Sequence, residues 1–270
     1  MPELPEVETT RRGIEPHCRN RTIERVRIHE PRLRWPVRPE LVDNLREARI
    51  TEVGRRAKYL LVETTRGTLI LHLGMSGSLR VVPAGSERRK HDHIEICLDS
   101  GQCLRLHDPR RFGAALWAEP GQSHPLLERL GPEPLEPAFD GDYLYRVSRG
   151  RRQAIKPFLM NNGIVVGVGN IYANEALFMA GIHPTRPAGR VGRERIHSLA
   201  DAVRSVLAAA IEQGGTTLRD FLREDGQPGY FRQKLNVYEK AGEPCPRCQT
   251  PIRQRLIGQR SSYFCPGCQR

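Results

Sequence analysis

Residues 245–268, CPRCQTPIRQRLIGQRSSYFCPGC, decide the fold of the last part of the chain, because two Cys-x-x-Cys pairs are separated there by 16 residues. Each pair can place two thiolates on one tight turn, and two such turns complete a tetrahedral zinc site. A segment of about 30 residues has too small a core to fold alone, so the metal stabilises it. The sequence therefore predicts one structural Zn²⁺ and no organic cofactor, with four ligands: Cys245, Cys248, Cys265 and Cys268.

The other three cysteines, Cys18, Cys97 and Cys103, are scattered. An odd total of seven, without a secretion signal, favours reduced thiols over disulfides. The first eight residues carry three glutamates and no apolar core, so we expect no signal peptide and a cytoplasmic protein. The longest apolar stretches, such as Leu69–Leu73, are too short to span a bilayer.

The charge balance points to a polyanionic partner. Lys and Arg number 43 against 31 Asp and Glu, a net charge of +12, and the pI is near 9.8. Nucleic acid is the favoured partner, although a cationic, merely solvated face would give the same totals. Four arginines lie within the zinc segment, as expected of a module that meets phosphate: Arg247, Arg253, Arg255 and Arg260.

The pattern of apolar residues predicts an α+β multidomain protein. Short β-branched and apolar clusters separated by turn residues favour an N-terminal antiparallel β-sandwich with flanking helices. Helical spacing then runs from Val203 to Ile211 and ends at Gly214–Gly215. We expect a β-sandwich domain over 1–130, a Pro- and Gly-marked linker over 131–148, a helical domain over 149–238 and the zinc finger over 239–270. The predicted strands are Ile23–Ile28, Ile50–Val53, Tyr59–Val62, Leu69–Leu73, Leu79–Val82, Ile94–Leu98 and Cys103–Leu106.

The amino terminus carries residues suited to imine chemistry. Pro2 follows Met1, and removal of the methionine exposes a secondary amine. The positive end of a helix dipole disfavours protonation of such an amine, and a neutral amine is the nucleophile that imine formation needs. Glu3 and Glu6 lie one helical turn apart, where a carboxyl can act as general acid or base. Proline at a helix start is also structurally ordinary, and for Glu8 a favourable first-turn charge is the preferred interpretation.

Motifs along the whole chain carry a family resemblance. The opening MPELPEVET at 1–9 is similar to the signature of formamidopyrimidine-DNA glycosylases, and the zinc finger closes the match. Between them, in order, lie GRRAKY at 54–59, HLGMSG at 72–77, KHDH at 90–93, DPRRFG at 108–113, GVGNIY at 167–172 and GGTT at 214–217.

The resemblance implies a bifunctional repair enzyme acting on damaged double-stranded DNA. It implies excision of oxidised purines, such as 8-oxoguanine and formamidopyrimidines, followed by strand cleavage through β,δ-elimination. Pro2 would form a Schiff base at C1′, Glu3 would move protons at the sugar, and Glu6 would support it. Lys58 matches the lysine linked to β-elimination, and Arg260 matches the zinc-finger arginine linked to δ-elimination. The lesion must leave the helix for this chemistry.

The DNA contacts implied by the resemblance are spread over both halves of the chain. Met75, Arg110 and Phe112 match a wedge that fills the gap left by the flipped base; core packing would otherwise explain Met75 and Phe112. Asn170, in the turn of a helix–two-turns–helix motif, would contact phosphates beside the lesion. His72 and His91 match further contacts, and Arg151 stands where the family usually has a lysine. Residues 216–230 match a loop that closes on the extruded base.

Two alternatives stay open at this point. An endonuclease VIII-like enzyme for oxidised pyrimidines shares Pro2, Glu3, the Asn170 turn and the zinc finger. Leu4-Pro5-Glu6, Met75 and the Arg110–Phe112 pair favour the purine branch. A non-catalytic zinc-finger DNA-binding protein explains the charge and the cysteines but not the Pro2–Glu3–Lys58 set. From the resemblance alone we expect a monomer working on the nucleoid.

Overall fold

The computed structural model describes residues 2–214 and 235–270. The described chain forms two compact units, one running to Glu128 and the other from Arg129 to Gln213 and again from residue 235 onward. The predicted closing loop at 216–230 therefore lies outside the described residues. Among the described helices, none is long and apolar enough to cross a membrane.

The first unit is an antiparallel β-sandwich. Its two four-stranded sheets have the orders β1-β6-β7-β5 and β2-β3-β4-β8. All seven predicted strands are confirmed, while β8 was not predicted because its alanines have low β-propensity. The strands are β1 (Ile23–Ile28), β2 (Ile50–Arg56), β3 (Tyr59–Thr64), β4 (Gly67–His72), β5 (Ser78–Pro83), β6 (Asp92–Leu98), β7 (Gln102–His107) and β8 (Ala114–Ala118). Within residues 2–128 the helices are α1 (Leu4–Cys18), α2 (Glu40–Leu45) and α3 (Pro125–Glu128).

Alternation along the strands divides the first sheet into an apolar and a polar face. Ile94, Ile96 and Leu98 of β6 join Leu104 and Leu106 of β7 in the core shared with the second sheet. The residues between them point to the other face, where Glu95 pairs with Arg105 across β6 and β7. This polar face is buried as well, since β6 is buried along its whole length.

The second unit is helical, with a two-stranded hairpin next to the cysteines. Its helices are α4 (Gly141–Ser148), α5 (Ile155–Leu159), α6 (Asn170–Met179) and α7 (Arg193–Glu212), with a 3₁₀ turn at Ala188–Arg190. The hairpin consists of β9 (Arg253–Ile257) and β10 (Arg260–Phe264). Gly258 and Gln259 join these strands with φ of 56° and 60°, as a tight primed turn requires.

Residues 131–148, predicted as a linker, are not an open connection. They contain α4, which packs against α7 within the second unit. Asp140 caps α4 by accepting a hydrogen bond from the Tyr143 amide at 2.6 Å. The prolines and glycines before residue 141 dominated the sequence pattern, and an eight-residue helix carries too little periodicity to outweigh them.

The expectation that the cysteines outside the zinc segment are reduced is wrong for one pair. Cys97 and Cys103 face each other across β6 and β7 and form a disulfide. Their pairing depends on strand register, which the cysteine count does not reveal. Cys18 is free and fully buried on α1, and burial raises the pKa of its thiol to about 12.

Candidate active site and nucleic-acid interface

The start of α1 fixes the geometry of the amino terminus. Glu3 is the N-cap of the helix, Pro2 directly precedes it, and both are buried. The Glu6 carboxylate accepts a hydrogen bond from the Glu3 amide at 2.8 Å, and the two glutamates form a capping box. Pro2 therefore sits at the positive end of the helix dipole, next in the chain to the capping residue Glu3. Through this bond the Glu6 carboxylate fixes the peptide group between Pro2 and Glu3.

The turn that carries Lys58 is tied to the same helix. Ala57, with φ of 55°, and Lys58 connect β2 to β3. Arg55 donates to the Ala57 carbonyl at 2.9 Å and pairs with Glu8 of α1 at 3.2 Å. Glu8 also pairs with arginines of its own helix, which agrees with its structural interpretation. Arg55 belongs to the GRRAKY motif at 54–59 but was assigned no role there, and the structure shows that it links α1 to the Lys58 turn.

His72 lies at the end of β4, next to the Lys58 turn. Its ring centroid is 5.0 Å from that of Tyr59, and its Nδ1 accepts a hydrogen bond from the Gly74 amide at 3.0 Å. Burial, aided by the positive charges of Lys58 and Arg34, lowers the pKa of His72 to about 4. His72 is therefore uncharged at neutral pH and presents its Nε2–H as a neutral donor.

The depressed pKa of His72 predicts a loss of stability in mild acid. The neutral imidazole stabilises the fold fully above pH 6.5, and that contribution is lost as the pH falls towards 4. Between those limits the free energy of unfolding should fall by about 3 kcal/mol more in the wild type than in His72→Asn. Urea unfolding followed by tryptophan fluorescence reports this unit, because Trp35 and Trp117 both lie in it. His17→Asn is the control, and parallel pH profiles of His72→Asn and wild type would contradict the prediction.

The predicted wedge residues lie on two loops in contact. Gly74 has φ of 67°, and a Cβ there would lie 2.5 Å from the Phe112 carbonyl carbon, so only glycine fits. Met75 follows it and is half-buried. Phe112 is 41% exposed, with the Arg110 guanidinium 4.9 Å from its ring centre. Core packing is thus excluded for Phe112, and the pair is available for contact with a partner.

In the second unit, Asn170 and the zinc-finger hairpin are joined by one buried lysine. The Lys156 ammonium, fully buried, donates to Asn170 Oδ1 at 2.6 Å, the Ser261 carbonyl at 2.9 Å and Ser262 Oγ at 2.7 Å. The Asn170 amide donates to the same Ser261 carbonyl at 3.1 Å. Arg260 directly precedes these serines and is exposed. Asn170 and Arg260 thus belong to one structured surface, and Lys156 is a site residue that the sequence analysis missed.

A second missed residue, Glu175 on α6, holds the chain that leads into the zinc finger. Its buried carboxylate accepts hydrogen bonds from the amides of Asn236, Val237 and Tyr238 at 2.8 to 3.0 Å. The Tyr238 ring packs edge-on against Tyr263 of β10, with 5.3 Å between centroids. The two missed residues, Lys156 and Glu175, lie in helical sequence without a recognisable motif, so only the fold reveals their roles.

The basic run before α5 is divided between two roles. Arg149 is half-buried and donates to the carbonyls of Ala188, Gly189 and Val191, so it is structural. Arg151, which stands at the family's lysine position, is exposed, with a long 3.4 Å hydrogen bond to the Val147 carbonyl of α4. Of these two arginines, Arg151 is the one that can reach a phosphate.

The four predicted zinc ligands converge. Sulfur–sulfur separations are 3.4 Å for Cys248–Cys265 and Cys248–Cys268 and 3.9 Å for Cys245–Cys268. A tetrahedron with Zn–S bonds of about 2.3 Å has edges of about 3.8 Å, so the four sulfurs fit a zinc ion. All four lie within 4.8 Å of one another. The chain therefore has a structural four-cysteine zinc site.

Comparison with known proteins agrees with this geometry. Residues 1–115 match the family model of the formamidopyrimidine-DNA glycosylase N-terminal domain, and residues 130–222 match that family's H2TH domain. The chain belongs to the formamidopyrimidine-DNA glycosylase family. Residues 242–270 match the zinc finger found in FPG and IleRS. Members of the family are bifunctional DNA glycosylases and abasic-site lyases.

Full-length relatives support the same assignment. The formamidopyrimidine-DNA glycosylase of Thioalkalivibrio sulfidiphilus is 61% identical, with all of both chains covered. A variant of the Lactococcus lactis protein, solved with Fapy-dG-containing DNA, is 33% identical with a TM-score of 0.93, over 100% of both chains. A MutM structure with DNA containing carbocyclic 8-oxo-G is 34% identical with a TM-score of 0.92, again over 100% of both chains.

Proposed function

We propose that this chain removes oxidised purines from duplex DNA by covalent catalysis at Pro2 and then nicks the abasic strand by β,δ-elimination. The observation that carries the proposal is the start of α1, where Pro2 and Glu3 are buried side by side and Glu6 fixes the peptide between them. A secondary amine next to a carboxyl group supplies both the nucleophile and the proton donor for imine chemistry.

In the proposed reaction, the Pro2 nitrogen attacks C1′ of the damaged nucleotide after Met1 has been removed. The base leaves with the C1′–N9 electron pair, Glu3 protonates the opening sugar at O4′, and an iminium joins Pro2 to C1′. Loss of a proton from C2′ then expels the 3′ phosphate, and a second elimination expels the 5′ phosphate. Lys58 is proposed for the first elimination, and Arg260, an exposed cation beside Asn170, for the second.

DNA binding is proposed to use both units. His72 offers a neutral N–H, and Asn170, Arg151 and Arg260 offer polar and cationic groups to phosphate. Met75, Arg110 and Phe112 would occupy the space left by the flipped nucleotide, which explains an exposed aromatic ring under a guanidinium. We also propose that the chain acts as a monomer, in the cytoplasm and on the nucleoid.

The oxidised-purine branch is favoured over the pyrimidine-specific sister class. Leu4-Pro5-Glu6, Met75 and the stacked Arg110–Phe112 pair favour the purine branch, and two of the solved relatives carry Fapy-dG or carbocyclic 8-oxo-G in their DNA. A non-catalytic role in DNA binding would not explain why Pro2, Glu3 and Glu6 are arranged in this way.

Borohydride trapping tests both the nucleophile and the substrate branch. Wild type and Pro2→Gly are incubated with duplexes containing 8-oxoguanine or oxidised thymine, and the adduct is mapped by peptide mass spectrometry. We expect an adduct on the purine lesion that maps to the N-terminal peptide, with at least about a tenfold lower yield in Pro2→Gly. Trapping on the pyrimidine lesion only would assign the chain to the sister class. No adduct from protein with a free Pro2 amine would refute the catalytic proposal.

Phosphate contacts predict a steep dependence of DNA affinity on salt. With at least three cationic contacts, the affinity should fall by at least about 40-fold between 50 and 200 mM salt. Arg151→Gln should reduce the slope by about 1, while Arg151→Lys, which keeps the charge, should leave it nearly unchanged. Fluorescence anisotropy on a lesion-containing duplex measures these slopes, and a flat series would contradict electrostatic binding.

A further inference from the structure

A buried charge cluster lies under the loop that carries His91. We call residues 86–91, Ser-Glu-Arg-Arg-Lys-His, the basic loop. Arg88, Arg89 and Lys90 are exposed, and His91, a predicted DNA contact, is half-buried. The cluster beneath belongs to β5, β6 and β7 and consists of Arg80, Asp92, Glu95, Arg105 and His107. Side-chain exposure is 2 to 7% for the first four and 19% for His107.

Arg105 holds the first half of the basic loop by its main chain. Its Nη1 donates to the Glu87 carbonyl at 2.8 Å, and its Nη2 donates to the Ser86 carbonyl at 2.6 Å. The remaining Nε donates to Glu95 at 2.8 Å, which fixes the plane of the guanidinium. The planar guanidinium of Arg105 points its donors in fixed directions and can therefore fix the path of the loop main chain. A lysine ammonium, whose donors rotate, could not fix it in this way.

Asp92 holds the second half of the loop. Its Oδ2 accepts from the Arg89 amide at 3.0 Å, and its Oδ1 accepts from Arg80 at 2.5 Å and bonds His107 Nδ1 at 3.0 Å. Burial opposes ionisation of Asp92, but the bonds from His107, Arg80 and Arg89 outweigh it and hold its pKa at about 2. Asp92 is therefore a carboxylate throughout the physiological range.

The basic loop ends in a backbone conformation that needs such support. His91 has φ of 76°, in the left-handed region that a non-glycine residue adopts at a cost. Its carbonyl accepts from the Asp108 amide at 3.0 Å, and its ring packs edge-on against those of His93 and His107, each 6.0 Å away. Removing the support should release His91 and its neighbours into other conformations.

We propose that Arg105 and Asp92 are positioning residues that hold the basic loop in the conformation in which it contacts the DNA backbone. The inference rests on the proposed function, in which His91 touches DNA. Buried ion pairs are costly to desolvate and are often replaceable by apolar residues without loss of stability. An apolar pair could not supply the hydrogen bonds that Arg105 and Asp92 make to the main chain of the basic loop.

The test compares Arg105→Met, and Arg105→Met combined with Glu95→Leu, with wild type. The double variant leaves no uncompensated carboxylate, so it keeps the protein folded if the single variant does not. Arg25→Met is the control, because Arg25 also lies 3.8 Å from Glu95 but is 46% exposed, and it hydrogen-bonds Cys97 Sγ at 3.3 Å and not the loop main chain. Single-turnover base release at increasing enzyme concentration gives the half-saturating concentration and the maximal rate, normalised to the borohydride-trappable fraction.

We expect half-saturation to rise about tenfold in the Arg105 variants, with a maximal rate within twofold of wild type and a salt slope lower by about 1. Hydrogen exchange of residues 86–91 should accelerate in the same variants and stay unchanged in Arg25→Met. Adding His91→Gln to either Arg105 variant should raise the half-saturating concentration less than twofold further, because the two changes remove the same DNA contact. Unchanged half-saturation in the double variant, or an equal effect of Arg25→Met, would overturn the inference. Wild-type binding by His91→Gln would instead refute only the His91 contact.

Discussion

We expect Glu3→Gln to lower the rate of base release by at least about 1,000-fold, because it removes the proposed proton donor next to Pro2 while keeping the shape of the helix start. Glutamine has the same length, and its carbonyl oxygen can still serve in the capping box at Glu6. The loss should therefore appear in the maximal rate and not in DNA affinity or thermal stability. Single-turnover release of 8-oxoguanine measures it.

Two other glutamates on α1 serve as matched controls for Glu3. Glu8→Gln removes a carboxylate that pairs with Arg11, Arg12 and Arg55, and we expect activity within about threefold of wild type, together with a lower stability. The activity of Glu6→Gln should fall between those of Glu3→Gln and Glu8→Gln, since Glu6 holds the Glu3 amide. A Glu3→Gln enzyme within tenfold of wild type would remove Glu3 from the chemistry.

Loss of zinc is expected to lower DNA affinity by more than about 100-fold while the β-sandwich stays folded. Structural zinc sites contribute about 10 kcal/mol or more to the folding of small modules. The hairpin β9–β10 lies between the cysteine pairs and carries Arg260 and the Ser261 carbonyl that Asn170 and Lys156 bind. Without the metal, these partners lose their fixed positions.

Cys265→Ala tests the zinc prediction without a chelator, and Cys18→Ala is its control. Both thiols are fully buried, but Cys18 lies on α1 in the first unit, far in sequence from the zinc ligands. Cys265→Ala should lose zinc and DNA binding with unchanged fluorescence of Trp35 and Trp117, whereas Cys18→Ala should keep both. Wild-type DNA affinity in a zinc-free protein would contradict the role of the finger.

Features with a strong local signature could be predicted from the sequence. The Cys-x-x-Cys pairs require a particular ligand spacing, and alternating β-branched residues separated by turns gave seven of the strands of the sandwich. The first-turn glutamates of α1 likewise predict a capped helix behind Pro2. Each of these features depends on residues that lie close together in the chain.

Features that depend on strand register or tertiary packing could not be predicted. The Cys97–Cys103 disulfide and the Arg105–Glu95 pair depend on which residues of β6 and β7 face each other. In the sequence Lys156 resembles any surface lysine, and only the fold shows that it is buried and bonds oxygens of Asn170, Ser261 and Ser262. The assignment of Phe112 as exposed also required the fold, because an aromatic residue in a loop can equally well be core.

If DNA binds at Asn170 and Arg260 as proposed, the bonds of Lys156 to Asn170 and the hairpin make zinc and DNA linked ligands of one surface. If the metal orders the hairpin that Asn170 and Arg260 depend on, then DNA held by those residues must in turn tighten the metal by the same free energy. Protein engaged on a lesion would then release zinc more slowly than free protein. An oxidant that attacks the four thiolates would then inactivate protein that is not bound to a lesion before protein that is bound to one.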